Sequence, residues 1–91
     1  MIMILNIFLA FLVGLIGANG IPHFVKGITG QAHNVPWQKP ARPHTNVIWG
    51  TINFAIAYSL SFFVQFDRPS GYMLLVGMFV TGFALGKLWE K

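Results

Sequence analysis

Three long apolar runs alternate with two polar links, and that pattern predicts the architecture. The first run, MIMILNIFLAFLVGLIGA over residues 1–18, has Asn6 as its only strongly polar member. The second, VIWGTINFAIAYSLSFFVQF over 47–66, carries no charge, and the third, GYMLLVGMFVTGFALGKLW over 71–89, is uncharged until Lys87. At the helical rise per residue each run covers roughly 27–30 Å, about one hydrocarbon core, so three transmembrane helices are expected. A cleaved signal peptide is the competing reading of the first run, because small residues lead up to Ala18. No Lys or Arg precedes the apolar stretch, as such a peptide requires, so a retained helix is expected.

The two links differ. Residues 67–70 read DRPS, where Pro69 cannot continue a helix and Ser70 can cap the next one. This predicts a tight reversal, with the second and third helices as an antiparallel hairpin. Residues 19–46 instead form a long connection holding all three His, four of the five Pro and three of the six basic residues, with no acid. Ile21, Phe24, Val25 and Ile28 fall on one side of a short helix, which reads as an interfacial element lying on the membrane. Pro36, Pro40 and Pro43 predict extended, polyproline-like chain for the rest.

Composition narrows the class. Charged residues are 9% of the chain and apolar ones 55%, whereas a soluble domain carries about a quarter charged residues. A soluble, disordered or nucleic-acid-binding protein is therefore excluded, and an all-α membrane protein is expected. The absence of cysteine removes disulfides and thiol metal sites. Charge also sets orientation: Lys26, Lys39, Arg42, Lys87 and Lys91 fall on one side of a three-span layout, and Arg68 alone on the other. That asymmetry predicts a bacterial inner-membrane protein with its N-terminus outside and its long loop and C-terminus cytoplasmic. Trp49, Tyr72 and Trp89 sit near predicted helix ends as interface anchors. Lys26, Trp37, Lys39 and Arg42 are candidates for contact with anionic lipids or a partner.

In a membrane, helices associate through small residues and interhelical hydrogen bonds. Asn6, Ala10, Gly14 and Gly17 share one face of the first helix. Asn46, Gly50, Asn53, Ala57 and Ser61 share one face of the second. The third offers Gly71, Gly82 and Gly86 on one face and Gly77, Thr81 and Ala84 on another. Counted inward from the helix ends, Asn53 should lie level with Gly14 and Ala84, and Asn6 with Ser59 to Ser61. Both amides are expected to glue helices together, and the spare stripes to meet another subunit.

Imidazole can ligate metal or haem or carry protons. Yet His23, His33 and His44 are ten and eleven residues apart, a spacing that matches no compact metal motif. Asp67 and Glu90 are predicted at opposite membrane faces and cannot pair, and no catalytic motif is present, so no enzymatic activity is expected.

The blocks Asn19-Gly20-Ile21-Pro22-His23-Phe24 and Asn46-Val47-x-Trp49-Gly50-x-x-Asn53 resemble those of a group of small bacterial three-helix membrane proteins. The resemblance spans roughly residues 14–60 and carries no activity over. It implies that Asn19, Pro22, His23, Trp49, Gly50 and Asn53 belong to one constellation at the cytoplasmic interface, with Asn19 and His23 approaching Asn46 and Trp49.

Three functions compete on these grounds. The first is a non-catalytic accessory subunit packing into a larger membrane complex of respiratory or photosynthetic type. Any haem, quinone or pigment would then come from a neighbouring subunit. The second is a homo-oligomeric channel or small transporter with Asn6, Asn53, Ser59 and Ser61 along its path. The third is a haem, quinone or metal site built on the loop histidines, with His23, Trp49 and Asn53 as the candidate cofactor-binding residues.

Overall fold

Helix α1 (Met3–Ile28) opens the computed structural model, which describes residues 3–88, and it is the hub of the molecule. A two-stranded antiparallel hairpin follows, β1 (His33–Val35) and β2 (Gln38–Ala41), then α2 (Pro43–Ser61) and α3 (Arg68–Leu88). The anchor role of Trp89 and the charge of Lys91 lie outside the described residues. The long axis is 41 Å, the span of a bilayer with its headgroup layers. Helices α1 and α3 are each long and apolar enough to cross a membrane. Nearly all of α3 faces outward, which a core helix of a water-soluble protein would not do. The chain is thus a three-helix bundle with transmembrane helix content, consistent with a multi-pass membrane protein.

The first apolar run does not stop at Ala18. Helix α1 continues through Pro22 to Ile28, so the separate interfacial helix predicted over 21–28 is the last third of a 26-residue element. Pro22 donates no hydrogen bond to the Ala18 carbonyl, a penalty that ends many helices. Here tertiary packing offsets it, because the residues beyond Pro22 lie directly on α2. A Cβ on Gly20 would come within 2.8 Å of the Gly50 carbonyl oxygen, and one on Gly27 within 2.7 Å of the Pro43 carbonyl oxygen. Such close backbone approach is available only to glycine. A Schellman turn then stops α1: Gln31 N–H donates to the Lys26 carbonyl (2.8 Å) and Gly30 N–H to the Gly27 carbonyl (3.1 Å). Gly30 has φ +75°, the left-handed conformation that this motif requires.

The proline-punctuated stretch is not polyproline-like. Pro36 and Trp37 turn the chain between β1 and β2, so the fold is not purely α-helical. Val35 and Ala41, 2% and 1% exposed, bury the inner side of the hairpin. Pro43 starts α2 four residues earlier than expected, as the first helical residue after an extended Arg42. The helix ends at Ser61, where i→i−3 bonds from Phe62, Phe63 and Val64 tighten the exit.

Residues 62–67 link α2 to α3. Asp67, not Ser70, is the residue that caps α3: its Oδ1 accepts from Ser70 N–H (3.0 Å), and Ser70 Oγ accepts from Asp67 N–H (2.8 Å). This is a reciprocal capping box, with Pro69 accommodated in the first turn. Despite the short link, α2 and α3 are not a packed antiparallel hairpin, since their backbones scarcely approach each other and each packs on α1 instead. At the α1–α3 crossing, a methyl on Gly14 would strike the Leu74 carbonyl, and one on Gly77 the Phe11 carbonyl. Thr81 Oγ1 ties the same pair by donating to the Leu15 carbonyl (2.8 Å). The inward face of α3 is therefore Ser70, Gly77 and Thr81, while Gly82 and Gly86 stand in open space and Ala84 is exposed.

Candidate functional site

The densest polar constellation lies where α1, the hairpin and the first turn of α2 meet. Pro43 places Asn46 one turn into α2, with its side chain turned back under the hairpin and wholly buried. Its Nδ2 donates to the carbonyls of His33 (2.9 Å), Arg42 (3.2 Å) and Ala41 (3.3 Å). Three acceptors around one nitrogen settle the orientation of the amide. Asn46 Oδ1 then faces His23 Nδ1 at 2.9 Å. An amide oxygen only accepts, so His23 Nδ1 is the donor of this pair. One asparagine thus locks α1, β1, β2 and α2 together.

Aromatic rings surround this lock. His23 is 7% exposed, with the His33 ring 5.1 Å away and the Trp49 ring edge-on at 6.5 Å. Trp37, at the hairpin turn, meets Trp49 edge-to-face at 5.3 Å and 88°. Burial, followed by repulsion from His23 and Lys26, holds the His33 imidazole below its ordinary value. Lys26 reaches over the helix end to donate to Gln31 Oε1 (2.9 Å).

Of the predicted cofactor-binding trio, the structure brings His23 and Trp49 together and leaves Asn53 one turn deeper. Asn53 Nδ2 donates to the Trp49 carbonyl (2.9 Å), and its Oδ1 accepts from Asn19 Nδ2 (3.1 Å). Its neighbours on α1 are Asn19 and Gly20, not Gly14: a Cβ on Gly20 would come within 3.0 Å of the Asn53 Cβ. The depth count assumed that α1 ended with the first apolar run, and its ten further residues shift the register. The Asn19–Asn53 pair borders a mostly apolar groove of about 330 Å³ that includes Leu15, Val80, Thr81 and Leu85.

The remaining stripe residues are placed as follows. Ala10, Gly14, Gly50 and Ala57 are buried between helices, and Gly17 faces Ala57. Ser61 donates to the Tyr58 carbonyl of its own helix and bridges nothing. Asn6 sits at the opposite pole, where its Nδ2 donates to the Gln65 carbonyl (2.9 Å) and its Oδ1 accepts from Gln65 N–H (2.7 Å). It thereby satisfies both backbone groups of one residue in the α2–α3 link. Sequence reasoning missed Asn46 as the hub and Asp67 as a cap. A Pro-His-Thr-Asn start to a helix and an Asp-x-Pro-Ser box were the signals available.

Among the described residues, no group of three or more His, Asp or Glu side chains is placed to hold a metal ion, and no buried side-chain nitrogen or oxygen lacks a partner. What this geometry provides is a clamp that ties α1, the hairpin and α2 together. No family model, curated protein sequence or solved structure matches the chain.

Proposed function

We propose that this chain is a non-catalytic, three-span subunit of the bacterial inner membrane that works by contact, packing against other membrane subunits. Helix α2, with 19 residues, is about 28 Å long and serves as the third span. The cation-bearing end, with Lys26, Lys39, Arg42 and Lys87, faces the cytoplasm and the N-terminus faces outside. The observation carrying this reading is the outward face of α3. Gly82 and Gly86 present bare backbone with nothing within 4 Å, flanked by Phe79 and Phe83 at 67% and 59% exposure. The glycines of α1 and α2, in contrast, face neighbouring helices wherever they lie within the bundle. A small-xxx-small pair open on a membrane helix is the surface that another helix fits.

The internal polar groups support the same reading over a channel. Asn6, Asn53 and Ser61 are each bonded within the bundle and offer no continuous path. The test is purification in mild detergent: wild-type protein is expected to carry other membrane chains with it. Changing both Gly82→Leu and Gly86→Leu should strip those chains while leaving the melting temperature of the bundle unchanged. A wild-type preparation that contains this chain alone, as a monomer, overturns the proposal.

A further inference from the structure

We propose that the hairpin and the adjoining helix ends form a docking face for an anionic lipid leaflet, with Trp37 at headgroup level and Lys26, Lys39 and Arg42 on lipid phosphates. The first observation is direction. Trp49 lies six residues beyond Pro43, about 9 Å along α2 toward the bilayer. Trp37 at the hairpin turn contacts that ring at 5.3 Å, so the hairpin folds back along the bundle and its tip points to the membrane, not into water. The second is rigidity. Asn46 pins both strands through the His33 and Ala41 carbonyls, and Val35 and Ala41 are buried beneath, so the outer side is held in one pose.

The third observation is the character of that outer side. Trp37 is 58% exposed, an amphipathic ring suited to the interface between hydrocarbon and water. Lys39 and Arg42, two and five residues further along the chain, are exposed, and Lys26 lies near the end of α1. Among the described residues the only carboxylate side chain is Asp67, at the other pole. Cations clustered at the end of a membrane helix complement the negative surface of a cytoplasmic leaflet, and their attraction dies away within a Debye length. A cationic, tryptophan-tipped face at this height fits lipid phosphates.

This inference rests on the membrane-spanning reading, and the experiment separates the two. Full-length protein with Trp49→Phe and Trp89→Phe retains Trp37 as its only tryptophan. It is reconstituted in phosphatidylcholine vesicles, with or without phosphatidylglycerol, that contain lipids brominated either near the headgroup or near the chain end. Trp37 emission should be quenched by the shallow bromines more than by the deep ones, and more strongly with phosphatidylglycerol present. Each of Lys26→Gln, Lys39→Gln and Arg42→Gln should reduce the gain in shallow quenching that phosphatidylglycerol brings, and high salt should do the same. Water-exposed, unquenched Trp37 in both lipid mixtures overturns the proposal. A shielded but unquenched Trp37 also overturns it, since the ring is then covered by protein. As a control, Phe79→Trp in a chain lacking all other tryptophans should be quenched by the deep bromines. If it is not, the spanning reading is what fails.

Discussion

The two poles of the bundle use the same residue type for the same job with unequal thoroughness. At the hairpin pole, Asn46 bonds three carbonyls and a histidine from a fully buried position. At the opposite pole, Asn6 makes two bonds to the backbone of Gln65, whose own residue is exposed. Both amides satisfy backbone where the chain leaves a helix, the place where polar groups most need partners near hydrocarbon. The difference is access to water. Asn6 is itself buried, but the Gln65 backbone it serves lies on an exposed link where water can take its place, whereas the carbonyls beneath the hairpin are less readily reached. The comparison shows that an intramembrane-side amide is worth what its surroundings withhold from solvent.

The largest expected effect is therefore at Asn46. Changing Asn46→Leu leaves the His23 Nδ1–H without its partner and removes the side-chain bonds to the His33 and Ala41 carbonyls, while the Arg42 carbonyl keeps its bond from the residue-46 N–H; the loss should destabilise the bundle by about 3 kcal/mol. Thermal unfolding in detergent measures this, and hydrogen exchange should show the hairpin amides opening first. Changing Asn6→Leu should cost only about 1 kcal/mol, with faster exchange confined to the α2–α3 link. Equal losses for the two variants would mean that burial does not set their worth.

Acid provides the smallest and most selective perturbation. His33 is held below the ordinary imidazole value of 6.5 in the folded chain, so the unfolded chain binds the proton first. The stabilisation is complete above that value and is lost as pH falls from it toward the folded value. At the other pole, hydrogen bonds from Ser70 hold the Asp67 carboxyl below its ordinary 3.8, so its contribution is present above that value and disappears only as pH drops through the folded one. Between about pH 7 and 5 the melting temperature should fall through the hairpin pole alone. The slope should diminish in His33→Gln and persist in Asp67→Asn.

Much of this molecule can be read directly from its residues. Runs of apolar positions predict the helices, and the small residues of α2 fall on the face that the structure buries, Asn46, Gly50, Asn53 and Ala57. Of the residues that the resemblance groups, Asn19 bonds Asn53, while His23 bonds Asn46 nearer the start of α2. Less legible was the face of α3. Gly82-x-x-x-Gly86 and Gly77/Thr81 are equally plausible as packing stripes, and only the position of Gly14 and Phe11 on α1 selects the second. The length of α1 was hidden by Pro22, whose local penalty points to a break.

Composition, apolar run lengths and small-residue periodicity by themselves determine a helical membrane protein and which residue types glue it, because hydrocarbon demands satisfied backbone and close packing regardless of partner. Tertiary structure alone decided that α1 runs on through Pro22, that the Pro-rich stretch folds into a hairpin, and that α2 and α3 sit apart across α1. Each depends on contacts between residues distant in the chain, Gly20 with Gly50, Gly27 with Pro43, Gly14 with Leu74 and Asn46 with the strand carbonyls. Such contacts override local preference because they exist only once the elements have met.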